Sequence, residues 1–172
     1  MDNVNPSHYN SKAISCVDIL ESTFTNECLV GFYTGNIIKY VYRYRNKNGL
    51  EDLKKAEWYL NRLITDALLG PSPKDADELV KIKKEISEIL EDDEYHDFWD
   101  LNVIVEGELD PVINSNILNV VYKVLRYSKL INRYANRYGT TILADKMLYP
   151  ALESLGIVIT RLEMAINNEK DK

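Results

Sequence analysis

The sequence predicts an all-α protein: a helical hairpin at the head, then a helical C-terminal part with one long helix. Three observations predict this class. Apolar residues recur at steps of three and four along four separate stretches. Clusters of Gly, Pro and Asn punctuate the chain between those stretches, at 46–49, 70–73 and 110–111 and again at Gly139. The one strand candidate, residues 101–105, has no second strand signal to pair with, which allows at most a minor strand there.

The elements follow in order. Residues 11–22 are compatible with a short first helix. Thr25 is placed to cap a helix over 25–45, with Leu29, Phe32, Ile37, Val41 and Tyr44 on its apolar face. Asn46-Lys47-Asn48-Gly49 is a turn. A second hairpin helix over 50–69 presents Leu53, Ala56, Leu60, Leu63 and Ile64 on one face. Gly70-Pro71-Ser72-Pro73 stops it. Ser72 as cap, Pro73 at the first helical position and Asp75 three residues after Ser72 then start the next helix, whose inner face is Leu79, Ile82, Ile86, Ile89 and Leu90. That helix ends in Glu91-Asp92-Asp93-Glu94. Asp110-Pro111 opens a long helix to about residue 138, closed by Gly139. A last helix from about Pro150 uses Leu152, Leu155, Val158, Ile159, Leu162 and Ile166.

The chain has 172 residues, 45% of them hydrophobic, and a net charge of −6. That apolar share excludes global disorder. No apolar run reaches the roughly 18–20 residues of a membrane span, and the polar start MDNVNPSHYN does not read as a signal peptide. Cys16 and Cys28 are too few for a disulfide framework and lack metal-ligand companions. The expectation is a cytoplasmic protein with free thiols and no membrane partner. The charge is uneven. Residues 1–70 balance at eight Lys/Arg and eight Asp/Glu, residues 71–110 carry four and fourteen, and residues 111–172 carry nine and five. This divides the chain into a neutral head (1–70) and a helical C-terminal part (71–172) that begins with an acidic connector (71–110).

Four groupings could carry chemistry. Asn36, Lys39 and Arg43 lie on one helical stripe with Tyr40 beside it, and Arg45 and Lys47 extend the positive charge past the helix end. Cations and an amide beside an aromatic ring suit a phosphate plus a base or sugar; the plainer alternative is a solvated stripe of snorkelling side chains. Gly31 and Gly35 inside this helix each cost up to about 1 kcal/mol relative to Ala, which suggests close approach of a ligand or another backbone. Pro6-Ser7-His8-Tyr9 offers His8 as a proton carrier or phosphate contact, or simply a surface histidine. Asp52, Lys55 and Tyr59 sit one turn apart; Asp52 either serves the helix dipole or orients Lys39 or Arg43 across the hairpin. Finally Lys123, Arg126, Lys129, Arg133 and Arg137 share a face with interleaved tyrosines. This fits pairing with the acidic connector of this or a neighbouring subunit better than nucleic acid, which the acidic pI near 5.0 opposes.

A P-loop, a G-x-G-x-x-G loop, an H-E-x-x-H pair and a Cys/His zinc set are all absent from the sequence. Glu85-x-x-Glu88 followed by Asp97-x-x-Asp100 offers paired carboxylates for Mg²⁺, a loose likeness to all-α nucleotide pyrophosphatases. Acidic helix surfaces produce such pairs by chance, and no metal is expected.

Four pieces in order, Asn5-Pro6-Ser7-His8-Tyr9, Ile14-x-Cys16-Val17-Asp18, Gly31-Phe32-Tyr33-x-Gly35-Asn36-Ile37-Ile38-Lys39-Tyr40-x-x-Arg43 and Asp52-Leu53-x-Lys55-Ala56-x-x-Tyr59, resemble the SaV-like domain of bacteriophage proteins over about residues 4–65. The family includes a coliphage nucleotide kinase that works without a P-loop and is an oligomer. The resemblance implies a phage-encoded nucleotide-binding protein in the bacterial cytoplasm. As a (deoxy)nucleoside monophosphate kinase it would use a nucleoside triphosphate as phosphoryl donor. It further implies Lys39 and Arg43 on phosphate, His8 as the candidate catalytic group, and Tyr9, Asn36, Tyr40, Lys47, Asp52 and Lys55 around the substrate. The partners implied are nucleotides and further copies of the chain. The alternatives are a non-catalytic module that sequesters a nucleotide or binds a host protein, and an acidic interaction protein. The resemblance does not reach residues 71–172.

Overall fold

A computed structural model describes residues 14–68, 75–92, 101–104, 106–107, 110–134 and 140–170. Among the described residues there is no strand, and the architecture is all-α. The first helix, α1 (Cys16–Thr23), is held by a reciprocal cap. Ser15 Oγ accepts from the Asp18 N–H and the Asp18 carboxylate accepts from the Ser15 N–H. No residue of α1 is fully buried.

Thr25 caps α2 (Asn26–Arg43), with its Oγ1 accepting from the Cys28 N–H. A tight 3-10 turn (Tyr44–Asn46) follows. The chain reverses at Gly49, which takes φ +52, the left-handed conformation that a residue without Cβ adopts at low cost. The Gly49 N–H returns to Tyr44 O at 2.7 Å. α3 (Leu50–Leu68) then packs along α2. Leu29, Val30, Tyr33, Ile37, Val41 and Tyr44 face Leu53, Ala56, Leu60, Leu63, Ile64 and Ala67, all buried at the periodicity the sequence displays.

α4 (Ala76–Asp92) starts later than the Ser72 cap would place it. Asp75 is the cap, with its carboxylate accepting from the Glu78 N–H at 2.8 Å; Ser72 and Pro73 lie outside the described residues. Ile82 and Ile86 turn inward as their spacing predicts. The minor strand expected near 101–105 is instead a 3-10 turn (Leu101–Ile104). Leu101 and Ile104, three apart and so on one side of such a turn, pack against the core. α5 (Pro111–Tyr134) begins under a second aspartate cap, Asp110, whose Oδ1 accepts from the Val112 and Ile113 N–H groups.

The last helix begins before Pro150. α6 (Thr140–Leu143), a π-turn (Ala144–Leu148) and α7 (Tyr149–Lys170) follow one another, with right-handed helical backbone at both Leu143 and Tyr149. Proline normally breaks a helix interior, because it lacks an N–H and its ring crowds the carbonyl four residues back. Here the wider turn absorbs it: the Tyr149 N–H reaches five residues back to Ala144 O. The carbonyl that Pro150 would otherwise serve, Lys146 O, accepts instead from Lys123 Nζ on α5 at 3.3 Å.

One cluster of buried apolar side chains runs from α2 and α3 through Ile82 and Ile86 into α5, the π-turn and α7. Its members come from both sides of the 70/71 sequence boundary. Polar ties reinforce it: Asn119 Nδ2 donates to Ser154 Oγ at 2.7 Å between α5 and α7, and Lys54 pairs with Glu163 at 2.7 Å between α3 and α7. Arg161 holds Asp110, and Arg45 Nη1 donates to Glu106 O at 2.7 Å. No described helix is long and apolar enough to cross a membrane.

Candidate functional site

The α2–α3 hairpin brings most of the sequence-predicted residues together at its turn end. Asp52, in the first turn of α3, is completely buried and receives both Nε and Nη2 of Arg43, at 3.0 and 2.9 Å. A carboxylate at that depth needs a cation and two donors, and the planar guanidinium supplies both. The pair also holds the guanidinium above its already high ordinary pKa. Asp52 thus orients Arg43 across the hairpin, and only Nη1 of that guanidinium is not engaged with the carboxylate.

Oriented this way, the Arg43 guanidinium lies 4.6 Å from the centroid of the Tyr40 ring. Lys39 Nζ lies 4.4 Å from the same centroid and Lys55 Nζ 6.0 Å. Three cations around one ring is a cation–π arrangement. They differ in how their charge is balanced. Arg43 has Asp52 and Lys55 has Glu51 at 2.5 Å, whereas Lys39 donates to the amide oxygen of Asn36 at 2.6 Å. Asn36 is itself fixed by donating Nδ2 to Phe32 O. Lys39 is an exposed residue, but partial desolvation of its ammonium beside the hairpin still holds it below the ordinary lysine pKa. The Arg43 charge lowers it further, Asp52 opposes, and Lys47 adds to the lowering. An anion arriving at Lys39 relieves that unfavourable field.

Behind Tyr40 stands an aromatic ladder. Tyr59 stacks on it at 5.8 Å and 18°, and Phe32 meets Tyr59 edge-on at 5.8 Å. Trp58 meets Tyr59 edge-on at 4.9 Å, with Arg62 over the Trp58 ring at 5.1 Å. Phe32, Tyr40, Trp58 and Tyr59 are half-buried, so the hairpin carries a partly exposed aromatic surface edged by cations.

Other expectations fare differently. His8 and Tyr9 lie outside the described residues. Lys47 is exposed at the turn. Arg45 is occupied with Glu106 O, so its role in the described structure is to tie the hairpin turn to the 106–107 turn. Gly31 and Gly35 do not mark a close approach. A methyl group added at either position meets nothing within 4 Å, and both are exposed on the outer face of α2. Glu85 and Glu88 are exposed on α4, Asp97 and Asp100 lie outside the described residues, and no metal-ligand cluster forms among the described residues.

Sequence reasoning missed a second polar cluster at the far end of the hairpin. Tyr33 Oη donates to Glu21 Oε1 at 2.6 Å, and Arg62 Nη1 stands 3.3 Å from the same oxygen. Burial, and then the neighbouring Glu21, push the Asp66 carboxyl above its ordinary value, and burial followed by Glu21 raises the Tyr33 phenol. Glu21 and Arg62 are 41 residues apart, so no spacing rule links them.

The comparisons with known proteins fall on this same head. A family model described as a protein of unknown function, DUF3310, matches residues 4–61, about a third of the chain. No curated protein and no solved structure matches.

Proposed function

We propose that this is a nucleotide-binding protein whose site is the turn end of the α2–α3 hairpin. Lys39 and Lys47 take the phosphates, and the aromatic surface at Tyr40, backed by Tyr59, takes the base or sugar. The observation that carries the reading is Lys39. It is a cation with no carboxylate within ion-pair distance among the described residues, set over an aromatic ring and inside a net positive field. Asp52 and Glu51, the carboxylates beside these cations, are paired with Arg43 and Lys55, so a proton carrier for phosphoryl transfer would have to be another group, such as His8. The resemblance to SaV-like domains supports a phage-encoded setting and an oligomer. The matched family model covers nearly the same stretch, which supports treating it as one module.

Calorimetric titration of the full chain with a panel of nucleoside mono-, di- and triphosphates tests this. Lys39→Ala is expected to weaken binding by about 10- to 100-fold, the loss of one charge-assisted contact. Binding needs the ammonium form. Affinity is therefore full below the lowered Lys39 pKa and falls as pH rises through it, earlier than for an ordinary lysine at 10.5. Equal affinity in wild type and Lys39→Ala would overturn the assignment. Adding a triphosphate and a deoxynucleoside monophosphate together and following diphosphate formation separates phosphoryl transfer from binding alone.

A further inference from the structure

α7 is apolar on two sides, and its own fold uses one of them. Ala151, Ser154, Leu155, Val158 and Ile159 are buried on the side that packs against α3 and α5. The opposite face, at steps of three and four, is Tyr149, Glu153, Gly156, Ile157, Thr160 and Met164. Tyr149, Ile157 and Met164 are 42%, 43% and 62% exposed. A helix ordinarily sets charged and polar residues on its solvent side, yet Glu153 is the one charged member of this stripe. The stripe is open at its middle, where a methyl group added at Gly156 meets nothing within 4 Å. Arg161 stands at its edge, its side chain 49% exposed while Nε holds Asp110.

We propose that this face is an interface between two copies of the chain, α7 against α7, antiparallel about a two-fold axis between Gly156 and Ile157. The face is complementary to itself in that register. The axis exchanges Ile157 with Gly156, so the bulky side chain at the centre of each face enters the gap over the partner's glycine. It sets Tyr149 against the partner's Met164 at both ends, a sulfur–aromatic contact. Glu153 falls opposite the partner's Thr160 and beside its Arg161, so each copy offers the other one acid and one base. A parallel pairing would instead set Glu153 on Glu153 and Arg161 on Arg161, and like charges disfavour it. Helices crossing at about 20° keep a stripe of this length, about 24 Å, in contact throughout. One helix face per copy is at the small end of specific interfaces, so a dimer that dissociates in roughly the micromolar range is expected. None of this depends on what the hairpin binds.

Sedimentation equilibrium of the full chain from about 1 to 100 µM tests this, with wild type expected to be dimeric at the upper end. Ile157→Glu alters an exposed residue and is expected to raise the dissociation constant by about 100-fold or more, with an unchanged circular dichroism spectrum. Gly156→Gln fills the gap. It is expected to weaken the dimer by about 10-fold yet raise the urea midpoint of the monomer, because glycine is the poorer helix former. Glu153→Arg is expected to weaken association at low salt, and added salt to restore part of it by screening the new repulsion. Ile166 is 40% exposed and lies nine residues from Ile157, on the other side of α7, so Ile166→Glu is expected to leave association unchanged. Wild type monomeric across the range, or association untouched by Ile157→Glu, overturns the proposal. Equal losses from Ile157→Glu and Ile166→Glu also overturn it, since the contact would then not follow this face. Glu153→Arg dimerising as tightly as wild type at low salt overturns the antiparallel register.

Discussion

Arg43 shows how a residue that sequence reasoning places on a ligand can be committed to the fold. Its charge stripe with Lys39 suggests a phosphate contact, but two of its nitrogens hold a carboxylate that is 0% exposed. Breaking a buried pair from one side leaves the other charge desolvated and unpaired, at a cost of about 3–5 kcal/mol. Arg43→Ala is therefore expected to lower unfolding free energy by about that amount in urea titrations. An arginine serving only as a surface ligand would change it by roughly 0.5 kcal/mol or less. Arg43→Lys keeps the charge but cannot form the two-pronged contact, and is expected to fall between these limits. Lys39 carries the opposite logic: its partner is an amide, so its removal is expected to cost binding and little stability.

The outer face of α2 makes a sharper case for the helix as a unit. Gly31 and Gly35 give the helix two positions of maximal backbone freedom, and nothing in the described structure occupies the space beside them. Gly31→Ala and Gly35→Ala are each expected to stabilise the protein by about 0.5–1 kcal/mol, read as a higher urea midpoint at unchanged slope. Packing of another backbone there would instead make them destabilising. The same helix shows what the sequence could disclose. The Thr25 cap, the buried face from Leu29 to Tyr44 and the turn at Gly49 are local signals and were legible. Arg43 and Asp52 were legible as a candidate pair because only a tight turn separates them. The π-turn was not. Pro150 reads as the start of a helix, and only Lys123, supplied by α5, shows how the helix passes through it. The Glu21–Tyr33–Arg62 contact and the Phe32–Tyr59–Tyr40 ladder depend likewise on how helices pack, which periodicity within one segment does not encode.

For the molecule as a whole, the decisive feature is the continuity of the buried cluster. Charge distribution divides the sequence near residue 70, which suggests a head and a C-terminal part that could unfold separately. The packing argues for coupling. α3 contacts α2 on one side and α7 on another, α2 contacts α5, and Lys54 bridges to Glu163. Leu155 of α7 is completely buried in this common cluster. Leu155→Ala is expected to cost about 2–5 kcal/mol through lost transfer energy and the cavity left behind. The informative readout is Trp58, which belongs to the head and packs edge-on against Tyr59. In a Trp99→Phe background, so that Trp58 reports alone, the fluorescence transition in urea is expected to move to lower denaturant by the same amount as the far-UV circular dichroism transition. If residues 1–70 instead fold as an independent unit, Leu155→Ala would leave the Trp58 transition in place while the circular dichroism curve splits in two. The outcome also bears on ligand binding. With a coupled core, a nucleotide bound at the proposed hairpin site would stabilise the C-terminal helices by mass action, so a saturating ligand would raise both transitions together.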